Sequence, residues 1–427
     1  MKMLLQGRPL SNSIPKSVLP LGRKILGITR KCFLLVVASP FILLLLVFRP
    51  FLLIRLGLSD MGRIGGFYYA VWYLAERSAG LHKKRCLDLF FIMRSTGGVS
   101  NCFWLKLWER RLNVFPFWKI GYVLYSVCRE IPWLQAHVIN IPDAVPFYGR
   151  EYLGLKTQQC ILNYKEPSLV LTPEEESAGR DALKQMGIPE DKPFICFHSR
   201  DSKYLEKTMP QRDWGYHDFR DSDIKNYIPA VEEMTWRGYY GVRMGAVVAE
   251  KVETGNPAII DYATNGKRTD FLDIYLGARC YFFICSDTGI SVIPEVFRRP
   301  IVFVNWVPLL RSPAFYVHNA ILIPKTFFSR KENRQLTFQE IIHSALGSEG
   351  QGAAFALAEI DLIENTPEEI AAVTLEMEER LNGTWKTTEE DEDLQRRFWK
   401  LYEPYQLNNP SFRIGAQYLR EHKDLLD

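Results

Sequence analysis

Two apolar runs, each followed at once by polar residues, decide the fold of this chain: PFICFHSRD from Pro193 to Asp201 and YFFICSDTG from Tyr281 to Gly289. An apolar run of this length, rich in aromatic and β-branched side chains, is typical of a strand that is buried on both faces of a parallel sheet. Because parallel strands end at the same edge of their sheet, the polar residues after the two runs are expected to lie close together.

Short apolar runs alternate with amphipathic helical stretches along the rest of the chain, which indicates an α/β architecture with parallel sheets. Thr172 and Pro173, followed by three glutamates, have the pattern of a helix start, and a second domain is expected to begin there. The predicted strands lie at 51–56, 88–93 and 136–141 before that point, and at 193–197, 239–243, 258–261, 281–285, 301–305 and 320–323 after it.

Charge is distributed unevenly along the 427 residues. The formal net charge is +4, but the first 59 residues hold nine basic side chains and no acidic one, which leaves 44 basic against 49 acidic residues for the rest. A nucleic-acid binder should carry a basic body or basic stripes with interleaved aromatic residues, so nucleic acid is not an expected partner. The basic front suits a membrane surface instead.

An uncharged run of 17 residues, Cys32 to Phe48, continues this basic front. As a helix it would be about 25 Å long, the lower limit for crossing a bilayer, and Pro40 is expected to break or kink it. One complete crossing would export the rest of the chain, whereas the eight scattered cysteines favour a reducing compartment. The sequence therefore predicts association with the cytoplasmic face of the inner membrane, and a buried core helix or strand is the alternative.

The residues at the ends of the predicted strands form the candidate binding site. Hydroxyls, a glycine that allows close approach of the backbone, and free N–H groups at a helix start suit an anion, and two guanidiniums beside them suit a diphosphate. Ordinary helix capping and surface ion pairs are the alternatives. The candidates are His198, Arg200, Arg243, Ser286, Asp287, Thr288 and Gly289.

Several longer motifs resemble a family of bacterial surface-polysaccharide glycosyltransferases, and the likeness covers nearly everything after residue 51. More distantly, the SDTG turn is similar to that of the lipopolysaccharide heptosyltransferases, and the HSRD strand end is similar to the HxR element of the fucosyltransferase group. The resemblance implies a GT-B-like fold, in which two Rossmann-like domains face a cleft. The motifs are FICFHSRDSKYL (194–205), FRDSDIKNYIPAVEEM (219–234), RGYYGVRMG (237–245) and DFLDIYLGARCYFFICSDTGISVIPEVFRRPIVFVNW (270–306).

The resemblance also implies roles for particular residues. It assigns Arg200 to a donor phosphate and residues 287–289 to the turn at the donor diphosphate. Val292 stands where the heptosyltransferases usually have a histidine, and Gly66 stands where the surface-polysaccharide family usually has one. Asp60, in the first loop, is therefore the predicted general base, and a solvated turn aspartate is the alternative.

The triplet Asp221-Ser222-Asp223 looks like the DxD motif of metal-dependent glycosyltransferases. It comes directly before a predicted helix and not after a strand, so a helix cap is expected and no metal site is predicted. Sugar transfer would then depend on arginines and backbone amides, with no cofactor besides the donor substrate.

The predicted function is inverting transfer of a sugar from a nucleotide sugar to a glycan or lipid-linked acceptor in surface-polysaccharide synthesis. A nucleotide-sugar epimerase of the same fold and a non-catalytic sugar-binding or assembly protein are the alternatives. The predicted parts are a basic, membrane-associated N-terminus (1–50), an acceptor domain (51–170), a donor-binding domain (171–360) and C-terminal helices (361–427).

Overall fold

The structure is a computed structural model in which the chain forms two compact units. The first unit comprises residues up to Leu58 together with 84–91 and 114–139, and the second comprises 59–83, 92–113 and 140–427. Residues 1–35, with most of the basic front, lie outside the described residues. The described residues are 36–67, 69–80, 85–93, 98–139, 145–147, 150–152, 155–211, 213–311, 317–348, 350–403, 409 and 411–427.

Strands and helices alternate along both units. The strands are β1 (Leu53–Asp60), β2 (Cys86–Met93), β3 (Val114–Phe115), β4 (Val145–Phe147), β5 (Arg150–Tyr152), β6 (Phe194–His198), β7 (Tyr240–Arg243), β8 (Ile259–Ile260), β9 (Phe283–Cys285), β10 (Ile301–Trp306), β11 (Ala320–Pro324), β12 (Thr326–Ser329), β13 (Arg334–Gln335), β14 (Ile360–Ile363) and β15 (Phe412–Ile414). The helices are α1 (36–48), α2 (Tyr69–Ser78), α3 (Cys102–Glu109), α4 (Trp118–Glu130), α5 (Leu155–Asn163), α6 (Pro173–Gln185), α7 (Lys203–Thr208), α8 (Ile228–Trp236), α9 (Asp270–Arg279), α10 (Val292–Val296), α11 (Phe338–Ile342), α12 (Gly352–Leu357), α13 (Pro367–Leu381), α14 (Glu389–Lys400) and α15 (Ala416–Glu421).

The first unit is built on a sheet with the strand order β1-β2-β3. The pair β2 and β3 is parallel, and the strand predicted at 136–141 is reduced to a single parallel bridge between Leu56 and Val138. A buried ion pair crosses this sheet, with 2.7 Å between Arg55 Nε and Asp88 Oδ1 and 2.8 Å between Arg55 Nη2 and Asp88 Oδ2. Parallel pairing confirms this part of the α/β prediction.

Helix α1 runs through Pro40 without a break, so the predicted break is wrong. Proline has no N–H to give to the carbonyl of Val36, and the hydroxyl of Ser39 donates to that carbonyl instead, at 2.8 Å. Ala38 and Leu45 on this helix belong to the buried core of the first unit. Among the helices in the described part of the chain, none has the length and apolar character that a bilayer crossing requires.

The second unit contains a seven-stranded parallel sheet with the order β15-β11-β10-β9-β6-β7-β8. From β6 the sheet grows outward through β7 and β8, and the chain then returns to the other side of β6 and adds β9, β10, β11 and β15. The direction of growth therefore reverses between β6 and β9. Open α/β sheets bind their ligands beyond the carboxyl ends of the strands at such a reversal.

One segment of the second unit differs from the prediction. Residues 361–427 hold helices α13 to α15, as predicted, but they also supply β15, which pairs with β11 at the edge of the sheet. A strand of three residues is too short to show a periodic pattern. The predicted helix start at Thr172 is confirmed, because its side chain accepts from the Glu175 amide while the Glu175 carboxylate accepts from the Thr172 amide. The domain boundaries near 50, 170 and 360 stay predictions.

Removing the carboxylate from the buried ion pair should destabilise the first unit. Asp88→Ala leaves the Arg55 guanidinium buried without this partner, and we expect a loss of about 3–5 kcal/mol in the free energy of unfolding. Urea unfolding followed by circular dichroism measures the loss. Glu206→Ala removes an exposed partner of Lys203 and serves as the control, with little change expected. Equal effects in the two variants would refute the special role of the buried pair.

Candidate active site

A cavity of about 390 Å³ lies within the second unit, at the carboxyl ends of β6, β7 and β9. It therefore coincides with the reversal of the strand order. Four of the predicted binding residues line it together, namely His198, Arg200, Thr288 and Gly289. The prediction that the ends of these strands converge is confirmed for these four residues, whereas their contact with a donor stays a prediction.

The ends of β6 and β9 are joined by a buried hydrogen bond. The Arg200 amide donates to the hydroxyl of Ser286 at 3.0 Å, and Ser286 is fully buried. Ser286 was predicted to contact the donor, but it does not line the cavity. Its hydroxyl positions the main chain of Arg200 instead.

Two arginine–aspartate pairs stand side by side at this edge of the sheet. The Arg200 guanidinium forms an ion pair with Asp221. Arg220 Nε lies 2.6 Å from Asp287 Oδ2, and Arg220 Nη2 donates to the Asp287 carbonyl at 2.7 Å. Arg200 and Arg220 both line the cavity, whereas Asp221 and Asp287 do not. The structure thus places Asp287, a predicted donor contact, behind Arg220.

The two guanidiniums repel each other. Burial, and next the positive charge of Arg220, lower the pKa of Arg200 to about 10. Arg200 is still charged near neutral pH, so a cavity with two adjacent cations faces any ligand that enters. An anion placed between them would reduce the repulsion.

His198 presents a neutral imidazole to the cavity. Burial lowers the pKa of His198 to about 4, and its Nδ1 lies 2.9 Å from the carbonyl oxygen of Met244. A neutral imidazole can bond a carbonyl only through the nitrogen that carries the proton, so Nδ1 donates and Nε2 is left as a hydrogen-bond acceptor.

Two further predicted site residues, Arg243 and Asp60, also lie outside the cavity lining. Arg243 is 1% exposed, and its Nη1 donates to the Glu250 carbonyl at 2.8 Å and lies 3.3 Å from Asp261 Oδ1. Its guanidinium is therefore used to hold the loop after β7, and the geometry gives no support to a direct donor contact. Asp60 ends β1, and its Oδ1 accepts from the Gly62 amide at 2.8 Å, which is the turn geometry of the alternative interpretation. Its catalytic role stays a prediction.

Sequence reasoning missed Arg220 and the role of Asp221. Arg220 ends the short 3-10 segment at 215–220, and Asp221 follows it. The other site residues were predicted because they follow a strand, and neither Arg220 nor Asp221 does. The FRDSD motif was the available signal. The predicted cap is confirmed for Asp223, whose side chain accepts from the Lys225 amide at 2.9 Å, and is wrong for Asp221, whose carboxylate pairs with Arg200.

Further cationic side chains line the same cavity and were also not predicted. They are Arg63, which is exposed and stacks over the Trp214 ring, and Arg268, whose Nη2 lies 2.5 Å from Asp273 Oδ2.

In the part of the chain that the structure describes, no group of three or more His, Cys, Asp or Glu side chains is placed to hold a metal ion. The hydrogen-bond donors among the residues that line this cavity include the guanidiniums of Arg200, Arg220 and Arg268 and the hydroxyl of Thr288.

The structure describes the setting of one departure from the resembling families, Val292, and of Gly65, the residue before the other departure at Gly66. Val292 is buried at the start of α10. The loop at Gly65 passes so close to Gly289 that a Cβ added to Gly65 would lie 3.4 Å from the Gly289 Cα. The backbones of the two loops are thus in contact where both line the cavity.

Comparison with solved structures finds distant similarities. The glycosyl transferase family 9 protein from Veillonella parvula DSM 2008 is 14% identical, with a TM-score of 0.41, over 75% of this chain and 94% of that one. The ADP-heptose lps heptosyltransferase II of E. coli is 14% identical, with a TM-score of 0.35, over 70% of this chain and 95% of that one. The iron-containing dodecameric glycosyltransferase TibC of enterotoxigenic E. coli H10407 is 13% identical, with a TM-score of 0.29, over 58% of this chain and 57% of that one. No protein-family model and no curated protein matches the chain.

The neutral state of His198 predicts a pH dependence of stability. Its pKa is about 4 in the folded protein against an ordinary value of 6.5, so the unfolded chain binds the extra proton first as the pH falls. Stability from this group is complete above pH 6.5 and is lost between 6.5 and 4. His198→Gln keeps a donor for the Met244 carbonyl and cannot titrate. Urea unfolding of both proteins at about pH 7 and pH 5 should show the larger acid loss in the parent. Equal losses would contradict the neutral imidazole.

Proposed function

We propose that this protein is a glycosyltransferase that binds a nucleotide-activated sugar in the cavity, with the donor diphosphate between Arg200 and Arg220. The adjacency of these two guanidiniums at the reversal of the parallel sheet is the observation that carries the proposal. Each forms an ion pair with a carboxylate outside the cavity lining, Asp221 for Arg200 and Asp287 for Arg220, so N–H groups of both arginines can serve an anion.

The rest of the cavity suits the same ligand. The hydroxyl of Thr288 makes no capping hydrogen bond, and Gly289 has no side chain to keep a phosphate from the backbone. The acceptor nitrogen of His198 suits a hydroxyl of the sugar or ribose. A nucleotide sugar is the class of compound that combines a diphosphate with such hydroxyls.

The proposed reaction is a direct displacement at the anomeric carbon. An acceptor hydroxyl attacks that carbon, the bond to the diphosphate oxygen breaks, and the electron pair leaves with the nucleoside diphosphate. Arg200 and Arg220 stabilise the negative charge that grows on the leaving group, as preorganised donors do elsewhere. The proton of the acceptor passes to a general base, for which Asp60 is the predicted residue, at the end of β1 shortly before Arg63 in the cavity wall.

We also propose that the enzyme works at the cytoplasmic face of the inner membrane on a glycan or lipid-linked acceptor. Support comes from the exposed side of α1 and its end, where large apolar side chains face solvent beside the basic Arg49. These side chains are Val36, Leu43, Leu44, Val47, Phe48 and Phe51. An apolar helix face next to cationic residues favours an anionic lipid surface.

The diphosphate proposal is tested by calorimetry with ADP, GDP and UDP. Arg200→Ala and Arg220→Ala should each weaken the nucleotide that binds the parent by about 10- to 100-fold, since a hydrogen bond to a charged group contributes about 1.5–3 kcal/mol. Arg200→Lys keeps the charge but loses the planar guanidinium, so its nucleotide affinity should lie between those of the parent and of Arg200→Ala. Arg396→Ala, an exposed arginine of α14, is the control. Unchanged affinity in both cavity variants would place the site elsewhere.

Membrane association is tested by co-sedimentation of the full chain with vesicles of phosphatidylglycerol and phosphatidylethanolamine. Leu44→Asp combined with Val47→Asp places charges on the exposed side of α1 and should reduce the bound fraction several-fold. Leu357→Asp alters an exposed leucine of the second unit and should bind as the parent does. If the double variant still sediments fully, α1 does not contact the lipid.

A further inference from the structure

We infer that Asp221 is a positioning residue that holds the Arg200 guanidinium in place for the donor diphosphate, and that Lys325 in turn holds Asp221. The inference rests on the proposed function, because Asp221 pairs with Arg200, one of the two arginines proposed to bind the donor diphosphate. It assigns the first aspartate of the DSD triplet to neither a metal site nor a helix cap.

The surroundings of Arg200 explain why it needs such a partner. Its side chain is 8% exposed and lies next to two other cations, Arg220 and Lys325. A buried guanidinium between like charges is pushed away from them unless a carboxylate holds it. The charges of Asp218, Asp287 and Asp201 also act on Arg200, but Asp221 is the carboxylate with which it forms an ion pair.

Asp221 is itself fixed by its main chain. Lys325, which is 5% exposed, donates from Nζ to the Asp221 carbonyl at 2.6 Å. The next residue, Ser222, donates its amide to the Arg200 carbonyl at 3.1 Å, and its hydroxyl lies 2.9 Å from the hydroxyl of the buried Tyr227. The main chain of Ser222, the residue after Asp221, is thus joined directly to that of Arg200, which keeps Asp221 beside Arg200.

The position of Asp221 also links the two arginines. Arg220 precedes it in the chain and is held by Asp287 after β9, whereas Asp221 holds Arg200 after β6. Two adjacent residues of one loop therefore pair with the ends of two adjacent strands. A substitution of Asp221 should therefore weaken diphosphate binding, although Asp221 does not line the cavity.

The first test compares the two aspartates of the triplet by calorimetry of the full chain with inorganic pyrophosphate and with ADP, GDP and UDP. Asp221→Asn should weaken the ligand that binds the parent by about tenfold or more, since it removes a charged partner of Arg200. Asp221→Glu keeps the carboxylate and should recover part of the loss. Asp223→Asn alters only the exposed cap and should bind as the parent does. If Asp221→Asn fails to fold, Lys325→Met, which frees the Asp221 carbonyl, should weaken binding in the same direction.

The second test is a double-mutant cycle with Arg200→Ala. If Asp221 acts through Arg200, Asp221→Asn should cause little further loss in the Arg200→Ala background, whereas a general structural role would weaken binding in both backgrounds. Full affinity in Asp221→Asn, with Arg200→Ala defective, would overturn the positioning role and leave the proposed site standing. Failure of the parent to bind pyrophosphate and every nucleotide would overturn the proposed function itself.

Discussion

The hydrogen bond between the Arg200 amide and the Ser286 hydroxyl depends on the register in which β6 and β9 pair, and the cavity depends on that register in turn. His198 pairs with Cys285 at the end of the two strands, so the residues that follow leave the sheet at the same level. A shift of one residue would turn each side chain to the other face of the sheet. Arg200 would then no longer meet Ser286, and the Thr288-Gly289 turn would no longer stand opposite it.

The cavity is strongly cationic although the body of the chain is not. Three of its arginines pair with carboxylates: Arg200 with Asp221 and Arg220 with Asp287, both outside the cavity lining, and Arg268 with Asp273, which lies in that lining. At Arg200 and Arg220 this arrangement leaves N–H groups facing the cavity while the paired carboxylate lies outside its lining. Repulsion between Arg200 and Arg220 remains, and it is the physical reason to expect an anion in this place.

Much of the fold was predictable because the strands of the large sheet are buried on both faces. The runs at 193–197 and 281–285 contain only apolar residues, and the structure confirms a strand in each, at Phe194–His198 and Phe283–Cys285. The strand β15 was not predictable, since its three residues have no pattern of their own and pair only because β11 offers an edge. The continuity of α1 through Pro40 was also not predictable, because it depends on a hydroxyl of Ser39 that reaches the free carbonyl.

The sequence by itself determined the parallel α/β class, the strands that end in the site, and the convergence of His198, Arg200, Thr288 and Gly289, because these follow from local patterns of apolar and polar residues. Only the tertiary structure decided which charged groups meet. Arg243 pairs with Asp261 outside the cavity lining, whereas Arg220, which follows no strand, lines the cavity, and Asp221 pairs with Arg200 from outside that lining. Ion pairs join residues that are distant in the chain, such as Arg200 with Asp221 and Arg220 with Asp287, and their partners are selected by burial and distance in the folded molecule, which no local pattern records.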